Sequence, residues 1–142
     1  MLESGKKYID EIMRLAKKAY KEGEVPIGAI IVKDDKIIAR AYNKKEKKKV
    51  ATYHAEILAI EKASKKIKDW RLNGSIMYVT LKPCDMCMNA IKEARISEVR
   101  YLADEKGEIK EKSVIKITKF KDEKMSLVSE NLIKNFFRKK RK

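Results

Sequence analysis

The chain has 142 residues, 44% apolar and 40% charged, which suits a single domain, residues 1–142, with a sizeable core. No apolar stretch approaches the roughly 20 residues of a membrane-spanning helix, and Met1 to Lys7 lacks the apolar centre of a secretion signal, so a cytoplasmic location is expected. With 36 Lys and Arg against 21 Asp and Glu, the net charge of +15 suits a polyanionic partner such as nucleic acid, or else records a composition rich in Lys.

Taken in order, Ile9, Ile12, Met13, Ala16, Ala19 and Tyr20 recur at three- and four-residue steps and predict a helix over 6–21, with Ser4 as cap and Gly23 as stop. Two β-rich runs, 27–32 and 36–42, flank Asp34-Asp35 and predict a hairpin. Gly28 inside the first run marks either a close backbone approach or a bulge. Lys44 to Lys49 reads as a charged loop, of interest because it stands just upstream of the histidine. A helix is expected over 53–66, capped by Thr52, and a strand over Ser75 to Leu81 after the Asn73-Gly74 turn. Pro83 is placed at the first position of a helix running to Arg95. Strands at 96–102 and 114–118 follow, with a polar loop from Ala103 to Ser113 between them. A last helix, 125–139, leads into the cationic run Arg138 to Lys142. Strands and helices alternate, so the expected fold is α/β: a three-layer αβα sandwich around one mixed five-stranded sheet.

Two runs carry the chemistry, His54-Ala55-Glu56 and Pro83-Cys84-Asp85-Met86-Cys87. The chain has one His and two Cys, and all three fall in these runs. Imidazole and thiolate suit zinc, and three protein ligands leave a fourth corner for water, as in a catalytic site. His54, Cys84 and Cys87 are therefore the expected ligands of one Zn2+ per chain. Glu56, two residues from the imidazole, suits the acid and base that moves protons between that water and a leaving nitrogen. C-x-x-C alone would also suit a redox pair. The pattern H-x-E with P-C-x-x-C is the signature of zinc nucleobase deaminases. Near the end, Phe136 and Phe137 beside Arg138 and Lys139 suit base stacking with phosphate contacts, or else a core pair before a solvated tail.

From about residue 8 onward the sequence resembles the bacterial-type tRNA adenosine deaminases of the cytidine deaminase-like superfamily. The resemblance rests on Glu24-Val25-Pro26-Ile27-Gly28-Ala29, Tyr42-Asn43, the two zinc runs, Trp70-Arg71-Leu72, Tyr78 to Leu81 and Phe136-Phe137-Arg138. It implies hydrolytic conversion of the wobble adenosine of a tRNA to inosine, with the anticodon stem-loop as partner and a homodimer as the assembly. It further implies that Asn43 hydrogen-bonds the purine, that Ile27 lines the pocket, and that the main chain at Ala55 and Cys84 orients the reacting groups. Lys82 stands where the family usually has Glu, and Tyr53 and Met88-Asn89 are bulkier than the family's residues there. Two other readings stay open: a deaminase of free guanine or cytosine, and a catalytically weak, zinc-stabilised RNA-binding module.

Overall fold

The computed structural model describes residues 2–104 and 115–140. Its elements are α1 (Leu2–Lys21), β1 (Gly28–Lys33), β2 (Lys36–Tyr42), α2 (Lys45–Lys48), α3 (Ala55–Ile67), β3 (Ser75–Leu81), α4 (Asp85–Glu93), β4 (Glu98–Ala103), β5 (Lys116–Lys119) and α5 (Glu123–Lys140). The strands form one mixed sheet in the order β2-β1-β3-β4-β5. β1 is antiparallel to β2 and β3, whereas β3, β4 and β5 run parallel.

Strand alternation sends side chains to two separate cores. Ile30, Val32 and Tyr78 meet Tyr8, Ile12, Leu15 and Ala19 of α1, and α5 joins that layer through Met125 and Val128. Ala29, Ile31, Met77 and Val79 face the other way, against Ala55, Leu58, Ala59 and Ala63 of α3 and Ile91 of α4. The αβα sandwich expected from the sequence is the fold observed.

The hairpin turns at Asp34 and Asp35, both with positive φ (52° and 61°). That is the two-residue turn whose twist matches its flanking strands, and Asp tolerates the left-handed region better than most side chains. Gly28 is a close approach: a Cβ there would lie 2.7 Å from Leu15 Cβ and 2.8 Å from the Ala16 nitrogen, and would strike the Ile12 carbonyl. The strand irregularity falls elsewhere, between Ile31 and Val32.

Several boundaries differ from expectation. The first helix already runs at Leu2, so Ser4 lies within it and does not cap it. Lys44 to Lys49 is not a loop: residues 45–48 form α2, because a carboxylate from a distant segment satisfies the amides at its start. The third helix begins one residue after His54, which is itself the N-cap residue in place of Thr52. Cys84 is likewise the N-cap of α4, so Pro83 stands before the helix, and α4 ends at Glu93 because Ala94 and Arg95 turn the chain. β4 starts two residues late, at Glu98. α5 starts two residues early, where the Asp122 carboxylate accepts the Met125 N–H at 3.0 Å. The expected polar loop from residue 105 onward, Val114 of the fifth strand, and Arg141-Lys142 lie outside the described residues.

Candidate active site

Sheet register and two helix starts bring the pieces to one edge. β1 begins opposite the end of β2, Gly28 facing Tyr42, so Ile27 and Asn43 are neighbours and the Asn43 N–H donates to the Ile27 carbonyl at 3.2 Å. β3 ends beside the same point, where Thr80 Oγ1 accepts the Gly28 N–H at 3.1 Å, and the chain then passes into Cys84. Across from it α3 starts, with its first amide, Ala55 N–H, donating to Asn43 Oδ1 at 2.7 Å in a buried setting. That bond satisfies one of the four amides a helix leaves unpaired at its start. It also fixes the plane of the Asn43 side chain.

Two helix N-termini therefore converge, one carrying His54 and the other Cys84. Their partial positive charge favours anionic groups nearby, and Glu56 lies in the first turn of α3. His54 Nδ1 lies 3.5 Å from Cys87 Sγ and 3.9 Å from Cys84 Sγ, and the three donor atoms fall within 4.8 Å of one another. Zinc–nitrogen and zinc–sulfur bonds of about 2.0 and 2.3 Å set in a tetrahedron give donor separations of about 3.5 Å for N to S and about 3.8 Å for S to S. The spacing and donor chemistry fit that ion. Among the described residues, no other set of three His, Cys, Asp or Glu side chains meets in this way.

Burial pushes the Cys87 thiol well above its ordinary range, reinforced by the charges of Glu56 and Cys84 and by hydrogen bonds to both. A thiol so placed ionises only with a cation beside it, which a dication held by all three donors supplies. Cys87 is fully buried and Glu56 only 3% exposed, so the acid/base candidate sits beside the ligand triad and out of bulk water.

The remaining expected residues are placed as follows. Ile27 is buried, with its N–H on the Val25 carbonyl. The Ala55 N–H is committed to Asn43. Phe136 is buried with its ring 6.5 Å from Tyr20, whereas Phe137 is 46% exposed. Arg138 and Lys139 are exposed, the first donating to Asn135 Oδ1 and the second lying over the Tyr20 ring. The Lys82 ammonium lies over the Tyr101 ring at 5.6 Å, and the Tyr53 carbonyl accepts the Lys44 N–H at 3.0 Å. Sequence reasoning gave no role to Glu24, which is 1% exposed with both carboxylate oxygens on the amides of α2. Its partners lie 22 and 23 residues away, so no local pattern marks it.

The MafB19-like deaminase family matches residues 3–141. A tRNA-specific adenosine deaminase of Bacillus subtilis is 46% identical over 101 residues, which are 70% of this chain and 63% of that protein. One from Aquifex aeolicus is 46% identical over 103 residues, 72% of this chain and 68% of that protein. This chain thus matches less than two thirds of the Bacillus protein's length. A structure solved in work on A-to-I editing by tRNA:A34 deaminases superimposes with a TM-score of 0.75 at 31% identity, covering 81% of this chain and 98% of that one. The chain belongs to the MafB19-like deaminase family, in the branch that holds the bacterial-type tRNA adenosine deaminases.

Proposed function

We propose that this protein is a zinc-dependent hydrolase that deaminates adenosine to inosine at the wobble position of a tRNA anticodon. The observation that carries the reading is the meeting of His54, Cys84 and Cys87 at two helix N-termini, with the buried Glu56 alongside. The names of its relatives supply the substrate class. His54, Cys84 and Cys87 would hold one zinc per chain. Bound there, the ion lowers the pKa of water to about 7 and so makes a nucleophile available at neutral pH.

Glu56 takes a proton from the attacking water and delivers it to the departing amine. Overall, C6 of the purine gains the water oxygen and loses its amine as ammonia. Glu56 is 3% exposed, so both transfers take place away from bulk water. Asn43 has its oxygen committed to Ala55, which leaves its amide nitrogen as a donor of fixed orientation for a purine acceptor. Ile27 closes the pocket beside it.

A base in a duplex is inaccessible, and an anticodon loop presents one unpaired. Phe137 with Arg138 and Lys139 supplies an exposed ring beside cations for that strand, and the buried Phe136 anchors the helix that carries them. The family resemblance extends the proposal to a homodimer working in the cytoplasm. Among the described residues, no helix is long and apolar enough to cross a membrane.

Single-turnover assays on an anticodon stem-loop, beside free adenosine, cytosine and guanine, test the proposal. Inosine at the wobble position is the expected product. Turnover of free guanine or cytosine alone would replace it with a base deaminase. RNA binding without turnover would replace it with a binding module.

A further inference from the structure

The segment between β2 and α3 carries five lysines in the six residues 44–49. Charge runs of this kind are ordinarily solvated loop. Here the run is wound into α2 and held by Glu24, whose Oε1 accepts the Glu46 N–H at 3.0 Å and whose Oε2 accepts the Lys47 N–H at 2.7 Å. Burying a carboxylate is costly unless hydrogen bonds replace its water, and charge-assisted bonds to helix-start amides do so. The carboxylate is thereby directed at the backbone. Lys45, Lys47 and Lys48 remain exposed, with Lys47 reaching Glu22 only at 3.5 Å.

The segment is also tied to the site at both ends. Asn43 bonds Ile27 and Ala55, and the Lys44 N–H bonds the Tyr53 carbonyl next to His54. The Lys44 ammonium lies 4.9 Å from the Tyr42 ring centre, and its pKa is lowered by burial and by the like charges of Lys62, Lys47 and Lys48. Like charges gathered at one place are relieved by a polyanion.

We propose that Glu24 is a positioning residue that fixes α2 beside the site, so that Lys44, Lys47 and Lys48 grip phosphates of the single-stranded RNA flanking the reactive nucleotide. The proposal rests on the RNA-deaminase reading for its ligand, and goes beyond it in assigning the surface and the group that orders it.

The test uses zinc-loaded protein and an anticodon stem-loop RNA, with binding followed by anisotropy at several salt concentrations. Lys47→Gln with Lys48→Gln should weaken binding and reduce the salt slope by about 1.4, at roughly 0.7 per single-strand phosphate contact. Glu24→Gln should speed hydrogen exchange at the amides of 46 and 47. It should also raise KM about fivefold or more while kcat changes less, since two charge-assisted bonds become one neutral bond and a misplaced donor. Adding Glu24→Gln to the lysine variant should then cost much less than it does alone, because the two act through one element.

An unchanged salt slope in the lysine variant overturns the proposal, and that variant is exposed enough to fold whatever Glu24→Gln does. A full Glu24→Gln effect in the background of Lys47→Gln with Lys48→Gln overturns the positioning role. Inosine formation with affinity unchanged in both variants sinks this proposal and leaves the function standing. The expected binding changes without any inosine would do the reverse.

Discussion

Asn43 joins the fold to the chemistry, and two substitutions pull those roles apart. Asn43→Ala deletes the oxygen that accepts the Ala55 N–H at 2.7 Å and leaves that donor buried. An unsatisfied buried amide costs about 1–3 kcal/mol, and the lost bond is also the cap of α3, so about 2 kcal/mol is expected. For a chain near 150 residues, that should lower Tm by about 8 °C. Asn43→Asp keeps the accepting oxygen and puts negative charge at the start of α3, where the helix dipole favours it. Its stability should stay within about 1 kcal/mol of the parent, since the capping bond survives. What it loses is the amide N–H donor, so an acceptor would face an acceptor on the purine. A site built to hydrogen-bond its substrate discriminates strongly when that bond is missing, so kcat/KM should fall by about 100-fold or more. Calorimetry of the zinc-loaded proteins and single-turnover assays on one stem-loop read both effects. An alanine variant that melts with the parent would refute the capping argument. An aspartate variant with full kcat/KM would refute the purine contact.

Cys87→Ala should lose the roughly one zinc per chain expected of a three-ligand site, together with the folding stability that binding contributes; full metal content by elemental analysis would contradict the ligand set. Glu56→Ala should keep zinc and RNA affinity while activity falls by at least about 100-fold, the lower end for general acid–base catalysis, and loss of zinc along with activity would make Glu56 a ligand instead. Gly28→Ala forces α1 off the sheet, because the added Cβ meets three atoms of that helix; overpacking of this kind costs about 1–3 kcal/mol, and an unchanged urea midpoint would deny the close approach. Deleting 138–142 should weaken stem-loop binding and flatten its salt dependence by roughly 0.7 per lost contact, with saturating turnover changed far less; unaltered binding would make the tail surplus charge.

The sequence disclosed those features whose cause is local. The continuous apolar run of β1 follows from burial on both faces of the sheet, the three- and four-residue spacing in α1 from burial of one face, and Asp34-Asp35 from the twist of a two-residue turn. The zinc runs were legible for a different reason: three rare side chains at ligand spacing leave few other combinations. Boundaries were less legible because capping is decided by whichever acceptor is nearest in space. Thr52 precedes the third helix as a capping residue should, yet Asn43 takes the first amide from 12 residues away. Pro83 suits a first helical position, yet the chain turns one residue later, at Cys84.

Lys44 to Lys49 shows most clearly where sequence reading ends. Lysine is a fair helix former, but a four-residue helix cannot offset its own nucleation cost in water. Nothing within the run opposes the loop expectation. What turns it into α2 is Glu24, held beyond the end of α1 by its N–H on the Ala19 carbonyl at 3.0 Å and so brought under the amides of 46 and 47. The helix belongs to a contact between segments more than 20 residues apart, which a reading of neighbours cannot contain. The same contact lies between a surface of lysines and the asparagine that caps α3. A change in that acidic residue would therefore reach the site through two backbone hydrogen bonds and Asn43, without touching a ligand.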